Sequence, residues 1–387
     1  IELDITPNRP DAFSHQGVAR DIAAATGRPF NPLSVSPIPS KGIEHLSISM
    51  EDENDCPRYI GGIVKNVKVR HSPDWMVDRL KAAGQRSINN LVDISNYVLL
   101  EIGHPTHIFD YNKLPQKEIV VRRANKGEKL TTLDDVTREL TETNLLITDG
   151  KIPIALAGVM GGLSTSVTEE TTTVLVESAY FNPVVTRKNA KSLQMSTDAS
   201  KRFERGADPD GTVHGFWRVV SLLQELADGE LSSEMIDIYP NAITPKTITL
   251  RRSELDLVLG HTVECKEVDR ILESIGFESS YTENDWTCTP PSFRPDIERE
   301  IDVIEEIARM VGYDTIPADE NIYGVFRYEN PDPEIKIDPI RSTLVSFGFH
   351  QIYSNSLQNE RDSSLSGKMA IKMMNPLSQE MAFLRTS

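Results

Sequence analysis

The chain has 387 residues, 39% hydrophobic and 26% charged, with a formal net charge of −17. That length suits two or three domains, each able to bury a core; no apolar run approaches a membrane span, and IELDITPNRPD is neither a signal nor a transit peptide, so a cytoplasmic protein is expected. The acidic balance repels polyanions at long range, and Cys56, Cys265 and Cys288, far apart in sequence, suggest neither a zinc site nor a disulfide framework.

Residues 1 to 5 alternate as a strand before the turn NRPD, and from Ser14 a helix follows Val18, Ile22 and Ala25 to a stop at Gly27. HLSISM and RYIGGIVKNVKV read as strands, and Ser72-Pro73 as the cap and first position of a helix closed by Gly84. The next helix, SINNLVDISNYVLLEIG, has its apolar stripe at Leu91, Ile94, Val98 and Leu99, interrupted by Ser95 and Asn96, two poor helix formers. His104 and His107 follow in GHPTHIFD. A metal pair is disfavoured there, because no third ligand is adjacent and Pro105 prevents a regular helix.

A β-rich region then runs through EIVVRRA, EKLTTLD, NLLITDG and IPIALAG. After Met160, Gly161 and Gly162 mark either a tight turn or a close backbone approach. The strand from Thr173 to Phe181 is almost wholly apolar or β-branched, which suggests cover on both faces, yet it carries Glu177. Either Glu177 sits at an edge or pairs with a cation, or it is a desolvated group awaiting a partner. Between Thr186 and Gly206, Arg187, Lys188, Lys191, Lys201, Arg202 and Arg205 face only Asp198 and Glu204, so this basic island is either salt-bridged or a phosphate dock. A helix through Phe216, Val219, Val220, Leu223 and Leu226 and the strand EMIDIYP close the region.

Taken together, TDASKRFERGADP, GVMGG, VLVESAYF and NNLVDISNYVLLEIGHPTHIFD closely resemble the central editing module of the bacterial phenylalanyl-tRNA synthetase β-subunit family. The resemblance extends over essentially the whole chain. It implies a mixed α+β multidomain fold: a β-rich B3/B4-type editing domain over 1–240, a small winged-helix-like B5-type domain over 246–315, and the start of a synthetase-like antiparallel domain over 325–387. The chain lacks an initial Met and stops at FLRTS inside a patterned segment, so it reads as an excised piece of a longer subunit.

Carried over residue by residue, the resemblance implies an editing pocket at Ser95, Asn96, His107, Gly161, Glu177, Thr197 and Ala199, with His107, Asn96, Glu177 and Thr197 closest to the chemistry. Ser95 stands where the family commonly has Thr, and His104 where it usually has Gln. In the B5-like part, ITLRRSELDLVLG, CKEVDRILESIGF and TPPSFRPD read as strand, helix, helix and strand. The final helix DIEREIDVIEEIARMVGY has a stripe at Ile301, Ile304, Ala308 and Val311. Asp302, Glu305 and Glu306 share a turn of it, with Asp296 at the expected N-cap. Spacing alone describes a solvated acidic face; the resemblance implies Mg²⁺ shared with the α subunit. A Pro-rich linker through PADENIYG and YENPDPEIKIDP, the helix IRSTLVSFGF and the strand HQIYSNSL complete the chain.

The resemblance further implies an α2β2 assembly with the α subunit, tRNA(Phe) as partner, tyrosine as the edited amino acid, and ATP used by the whole enzyme without binding here. No Ser-His-Asp or Cys-His arrangement is recognisable, so hydrolysis would rest on positioning, with His107 as general base an alternative. Two other readings stand beside editing. One is an RNA-docking and assembly scaffold without activity of its own; the other is a magnesium-dependent hydrolase using the acidic helix.

Overall fold

The computed structural model describes residues 3–42, 44–318, 324–325 and 332–386. The architecture is α+β. Ile1–Pro317 form one compact unit and Ala318–Ser387 another. Residues 3–5 form no strand, and residues 1 and 2 of the one expected there lie outside the described residues.

The first helix, α1 (His15–Thr26), is capped by the Ser14 hydroxyl, which accepts from the Gly17 amide, and closed by Gly27 at φ 66°. Its packed face is Gly17, Ala23 and Ala24, not the expected stripe, and Ile22 is exposed. The reason is a crossing backbone: a Cβ on Gly17 would lie 1.8 Å from the Asp11 carbonyl oxygen.

There follow β1 (Ser47–Met50), β2 (Arg58–Lys65), α2 (Asp74–Ala82), α3 (Asn90–Ile102), β3 (Thr106–Asp110) and β4 (Glu118–Arg123). Next come β5 (Lys129–Thr131), β6 (Thr137–Glu139), β7 (Leu145–Thr148), β8 (Pro153–Leu156), β9 (Met160–Gly161) and β10 (Thr173–Tyr180). The helices α4 (Pro183–Ser192), α5 (Asp198–Phe203) and α6 (Gly211–Ala227) precede β11 (Glu230–Leu231) and β12 (Ile236–Ile238). Pro73, not Ser72, stands at the N-cap of α2, because the Ser72 hydroxyl is drawn 2.5 Å from the Asp93 carboxylate.

Two sheets stack. One has the order β1-β4-β7-β8-β9; the other has β11-β2-β10-β3, with β12 also on β2. Alternation along β10 sends Leu175 into the core between the sheets, beside Ile63, Phe109 and Ile147. Val174 and Val176 face the opposite way and pack with Ile94 and Val98 of α3 and Phe216 and Val220 of α6. The strand is therefore covered on both faces, as its composition requires. Glu177 shares the inter-sheet side with Leu175.

The B5-like part contains β13 (Ile248–Arg251), α7 (Arg252–Leu259), α8 (Cys265–Ser274), β14 (Glu278–Thr282), β15 (Asp285–Thr289) and α9 (Glu300–Val311), its sheet ordered β13-β15-β14. The closing strand expected in TPPSFRPD is not formed: beyond Thr289 that segment is turn, and the sheet is completed instead by the preceding β14-β15 hairpin. On α9 the buried residues are Val303, Ile304, Glu306, Ile307 and Ala308, so Ile304 and Ala308 of the expected stripe are buried while Ile301 is 44% exposed. Arg299, not Asp296, is its N-cap, and the Asp302 carboxylate reaches back to the Arg299 amide at 2.8 Å.

A closed ring of alternating charge ties α9 to the N-terminal segment. Arg9 meets Asp11 at 2.9 Å and Asp21 at 3.0 Å, and Arg309 bridges Asp21 at 2.9 Å and Glu306 at 2.8 Å. Arg294 completes it, 2.7 Å from Glu306 and 4.0 Å from Asp11.

In the second unit, α10 (Glu334–Ser346) takes up the end of the expected linker, Pro339 included, and buries no residue. The rest of that linker falls partly outside the described residues. Of the expected strand HQIYSNSL only Leu357 is extended in a ladder, as part of β16 (Leu357–Gln358). After α11 (Glu360–Ser364), β17 (Phe383–Leu384) pairs antiparallel with β16 over two residues.

Candidate binding cavity between the two sheets

In the register of the second sheet, Glu177 stands between Gly61 of β2 and His107 of β3. It is 6% exposed, and its Oε2 has no hydrogen-bond partner. Burial pushes its carboxyl up to about 8, opposed by the neighbouring Tyr59 hydroxyl. At neutral pH it therefore holds its proton, so the group is a neutral acid able to donate as well as accept, not the charged acceptor its residue type suggests. Tyr59 is wholly buried, its hydroxyl near enough to the Glu177 carboxyl to oppose that shift but outside hydrogen-bond geometry.

Glu177 lines a small cavity of about 70 Å³ whose walls also include His107, Gly161, Ala199 and Phe203. An adjoining cavity of about 450 Å³ shares His107, Gly161 and Ala199 and adds Ser95, Asn96 and Thr197. All seven residues picked out in the sequence thus line one of two chambers that share a wall. The His107 ring packs edge-on against Phe109, with centroids 4.4 Å apart. Burial lowers its imidazole to about 4, so it is neutral at pH 7 and a weak base. Gly161 is a close approach rather than a strained turn: a Cβ there would lie 2.6 Å from His107 Cε1.

The polar residues of the larger chamber divide by what they already hold. Ser95 Oγ donates to the Thr106 carbonyl at 2.6 Å, tying α3 to β3. Thr197 caps α5: its hydroxyl accepts from the Ser200 amide at 3.0 Å and donates to the Val159 carbonyl at 2.8 Å. Both therefore fix the walls of the chamber they line. The Asn96 amide, by contrast, makes no hydrogen bond among the described residues. The sequence reading missed Thr106, Leu133 and Met160 in the same walls. Leu133, 45% exposed in a tight turn, was the available signal for one of them.

The basic island is split. Arg202 is 7% exposed and donates to the carbonyls of Phe13 and Asp198, while Arg205 pairs with Glu204. Lys188, Lys191 and Lys201 remain exposed. The three cysteines are free.

The four carboxylates proposed for magnesium do not converge. Arg294 lies between Asp296, at 2.8 Å, and Glu306, at 2.7 Å, and Arg294 and Arg309 hold Glu306 down at about 2 despite its burial. Asp302 caps α9, and Glu305 lines a separate open groove with it. Among the described residues no three or more His, Cys, Asp or Glu are grouped to hold a metal. The donor set does not fit Mg²⁺, because Asp296 and buried Glu306 already neutralise guanidinium groups.

Residues 55–228 match the B3/4 domain, 248–313 the tRNA synthetase B5 domain, and 328–387 the phenylalanyl tRNA synthetase beta chain CLM domain. The phenylalanine–tRNA ligase beta subunit of Carboxydothermus hydrogenoformans is 41% identical over 400 residues, covering 100% of this chain and 49% of its own. That of Salinibacter ruber is 41% identical over 396 residues, covering 100% and 48%. The chain thus spans about half the length of these curated relatives. A solved N-terminal fragment of the phenylalanyl-tRNA synthetase beta subunit from Pyrococcus horikoshii aligns with 79% of this chain and 85% of its own, at 17% identity and a TM-score of 0.38, too low to argue from. No helix among the described residues is long and apolar enough to cross a membrane.

Proposed function

The chain belongs to the phenylalanyl-tRNA synthetase β-subunit family, and on that premise we propose that its first compact unit removes tyrosine from mischarged tRNA(Phe). The observation that carries this reading is the buried Glu177 carboxyl lining a cavity, its Oε2 without a hydrogen-bond partner among the described residues. A tyrosine hydroxyl entering there both donates to and accepts from the neutral carboxyl. A phenylalanine ring leaves that carboxyl unpaired, and sites built on such a bond discriminate by roughly 10⁴ or more. Correctly charged tRNA is thereby spared.

In the hydrolysis, a water oxygen attacks the ester carbonyl carbon, the bond to the ribose oxygen breaks, and a proton passes to that oxygen. Neutral His107 and the free Asn96 amide face the larger chamber, where they orient the water and the carbonyl. The low basicity of His107 argues against its taking the proton. A ribose hydroxyl of the tRNA end is the remaining candidate.

Aminoacylation, ATP use and the α2β2 assembly with the α subunit belong, in this reading, to the whole enzyme. The test is a pair of substitutions in a reconstituted enzyme. Glu177→Ala slows Tyr-tRNA(Phe) deacylation and blurs discrimination against phenylalanine, while Ala199→Trp blocks deacylation by filling both chambers. If both variants deacylate at the unmodified rate, the cavity is not the editing site and a scaffold role remains.

A further inference from the structure

His104 lies three residues before His107 but opens onto a different cavity, of about 170 Å³, enclosed by α1, the loop after it, the start of α6 and Phe293. The imidazole is 2% exposed; the Ala179 carbonyl lies beside it, but among the described residues neither ring nitrogen has a partner in hydrogen-bond geometry. It is held against two glycines of α6: a Cβ on Gly211 would lie 3.3 Å from Nδ1, and one on Gly215 3.0 Å from Cδ2. Gln16, on α1, lines the same cavity, and its buried Oε1 is also without a partner. A buried amide oxygen and a buried imidazole left without partners beside one void depart from the pattern of a packed interior, where buried polar groups find partners.

The charges on the wall say what fits. Arg20 stacks face-on to Phe293, its Cζ 3.6 Å from the ring centroid, which leaves the edge of the guanidinium for hydrogen bonding. Among the described residues Arg20 makes no ion pair and no hydrogen bond. Its nearest acid, Asp11, already gives both carboxylate oxygens to Arg9 at 2.9 Å. Arg202, the other guanidinium lining the cavity, is occupied by two carbonyls. Asp208 also lines the cavity, and there the Asp210 amide donates to one of its oxygens. The wall therefore presents a guanidinium edge without a hydrogen-bond partner, near Asp11 and Asp208, together with the Asp208 carboxyl, which Ser292 and the Asp210 and Gly211 amides also bond, an amide oxygen and an imidazole. Pro32, Leu33 and Val35 add an apolar side.

We propose that this cavity is a second binding site, for a small zwitterion of the free amino-acid class, its carboxylate on Arg20 and its ammonium between Asp208 and Gln16. His104 bonds the same molecule, and the Pro32–Val35 side takes a short apolar side chain. This site is separate from the Glu177 cavity and does not depend on the editing reading.

The test uses this chain with its histidines ¹⁵N-labelled, titrated with L-valine, acetate and ethylamine while the ring nitrogens of His104 and His107 are followed separately. L-valine shifts the His104 resonances saturably and leaves those of His107 in place; acetate and ethylamine, each with half the recognition, bind at least about tenfold more weakly. Arg20→Gln and Gln16→Leu each weaken valine binding, the first by about tenfold or more. Gln16→Leu sits on a helix face that tolerates the change in size, so it reports even if Arg20→Gln fails to fold. The proposal is overturned if none of the three probes moves His104 saturably, which leaves ordered water as the occupant. It is equally overturned if only His107 responds, or if Gln16→Leu and Arg20→Gln bind valine as the unmodified chain does.

Discussion

At the scale of single residues, Glu177 links recognition to stability. Unfolded, its carboxyl releases its proton near 4.5; folded, it holds it up to about 8. The folded state therefore binds the extra proton inside that window, and stability falls as pH rises through it. Each unit of difference is worth about 1.4 kcal/mol, so Glu177→Gln, which cannot ionise, should raise the melting temperature markedly near pH 9 and hardly at all near pH 4. Thermal unfolding at the two pH values checks this; equal gains would show that the carboxyl is not desolvated. Gly161 offers a second case. Gly161→Ala sets a methyl against the His107 ring, so a loss of about 1–3 kcal/mol is expected by chemical denaturation, with deacylation reduced because the ring must swing away.

At the scale of elements, α5 and α9 show how much of a site can be read from sequence. A carboxylate in an apolar strand is a local anomaly, so Glu177 was legible; so was Gly161, where only a backbone fits. Ser95 and Thr197 were legible as wall residues but not as ties, because the carbonyls they bond belong to Thr106 and Val159, 11 and 38 residues away. On α9 spacing alone read as a solvated acidic face and the resemblance as a Mg²⁺ site; both readings left out Arg294 and Arg309, cations in the same stretch that pair with Asp296 and Glu306. Two predictions follow from these elements. Thr197→Val removes the cap and the tie to the Val159 carbonyl and should cost about 1–2 kcal/mol, measured by denaturant unfolding. Added Mg²⁺ should leave the melting temperature of the chain no higher than the same ionic strength of NaCl does, whereas a specific rise would restore the acidic helix as a metal site.

At the scale of the whole molecule, the two compact units differ in how they are held. The first has sheet-on-sheet and sheet-on-helix cores; α10 of the second buries nothing, and Phe347, Ile352, Tyr353, Met369, Met374 and Leu377 are all more than two-thirds exposed. Amides of α10 should exchange with solvent far sooner than those of β10, as hydrogen-exchange mass spectrometry would report. The patterned stop at FLRTS pointed to a truncated domain, but which apolar residues lie bare was not legible, because an apolar stripe looks the same whether or not anything covers it.

The ring of charges between the N-terminal segment and α9 also has a kinetic side. The contact of Arg309 with Asp21 spans 288 residues, so it closes a loop nearly as long as the first unit itself. Contacts of such separation carry the largest closure entropy and are made after the local sheets and helices have formed. The ring is therefore a late latch: loosening it with Asp21→Asn should speed unfolding while leaving the refolding rate of the chain almost unchanged.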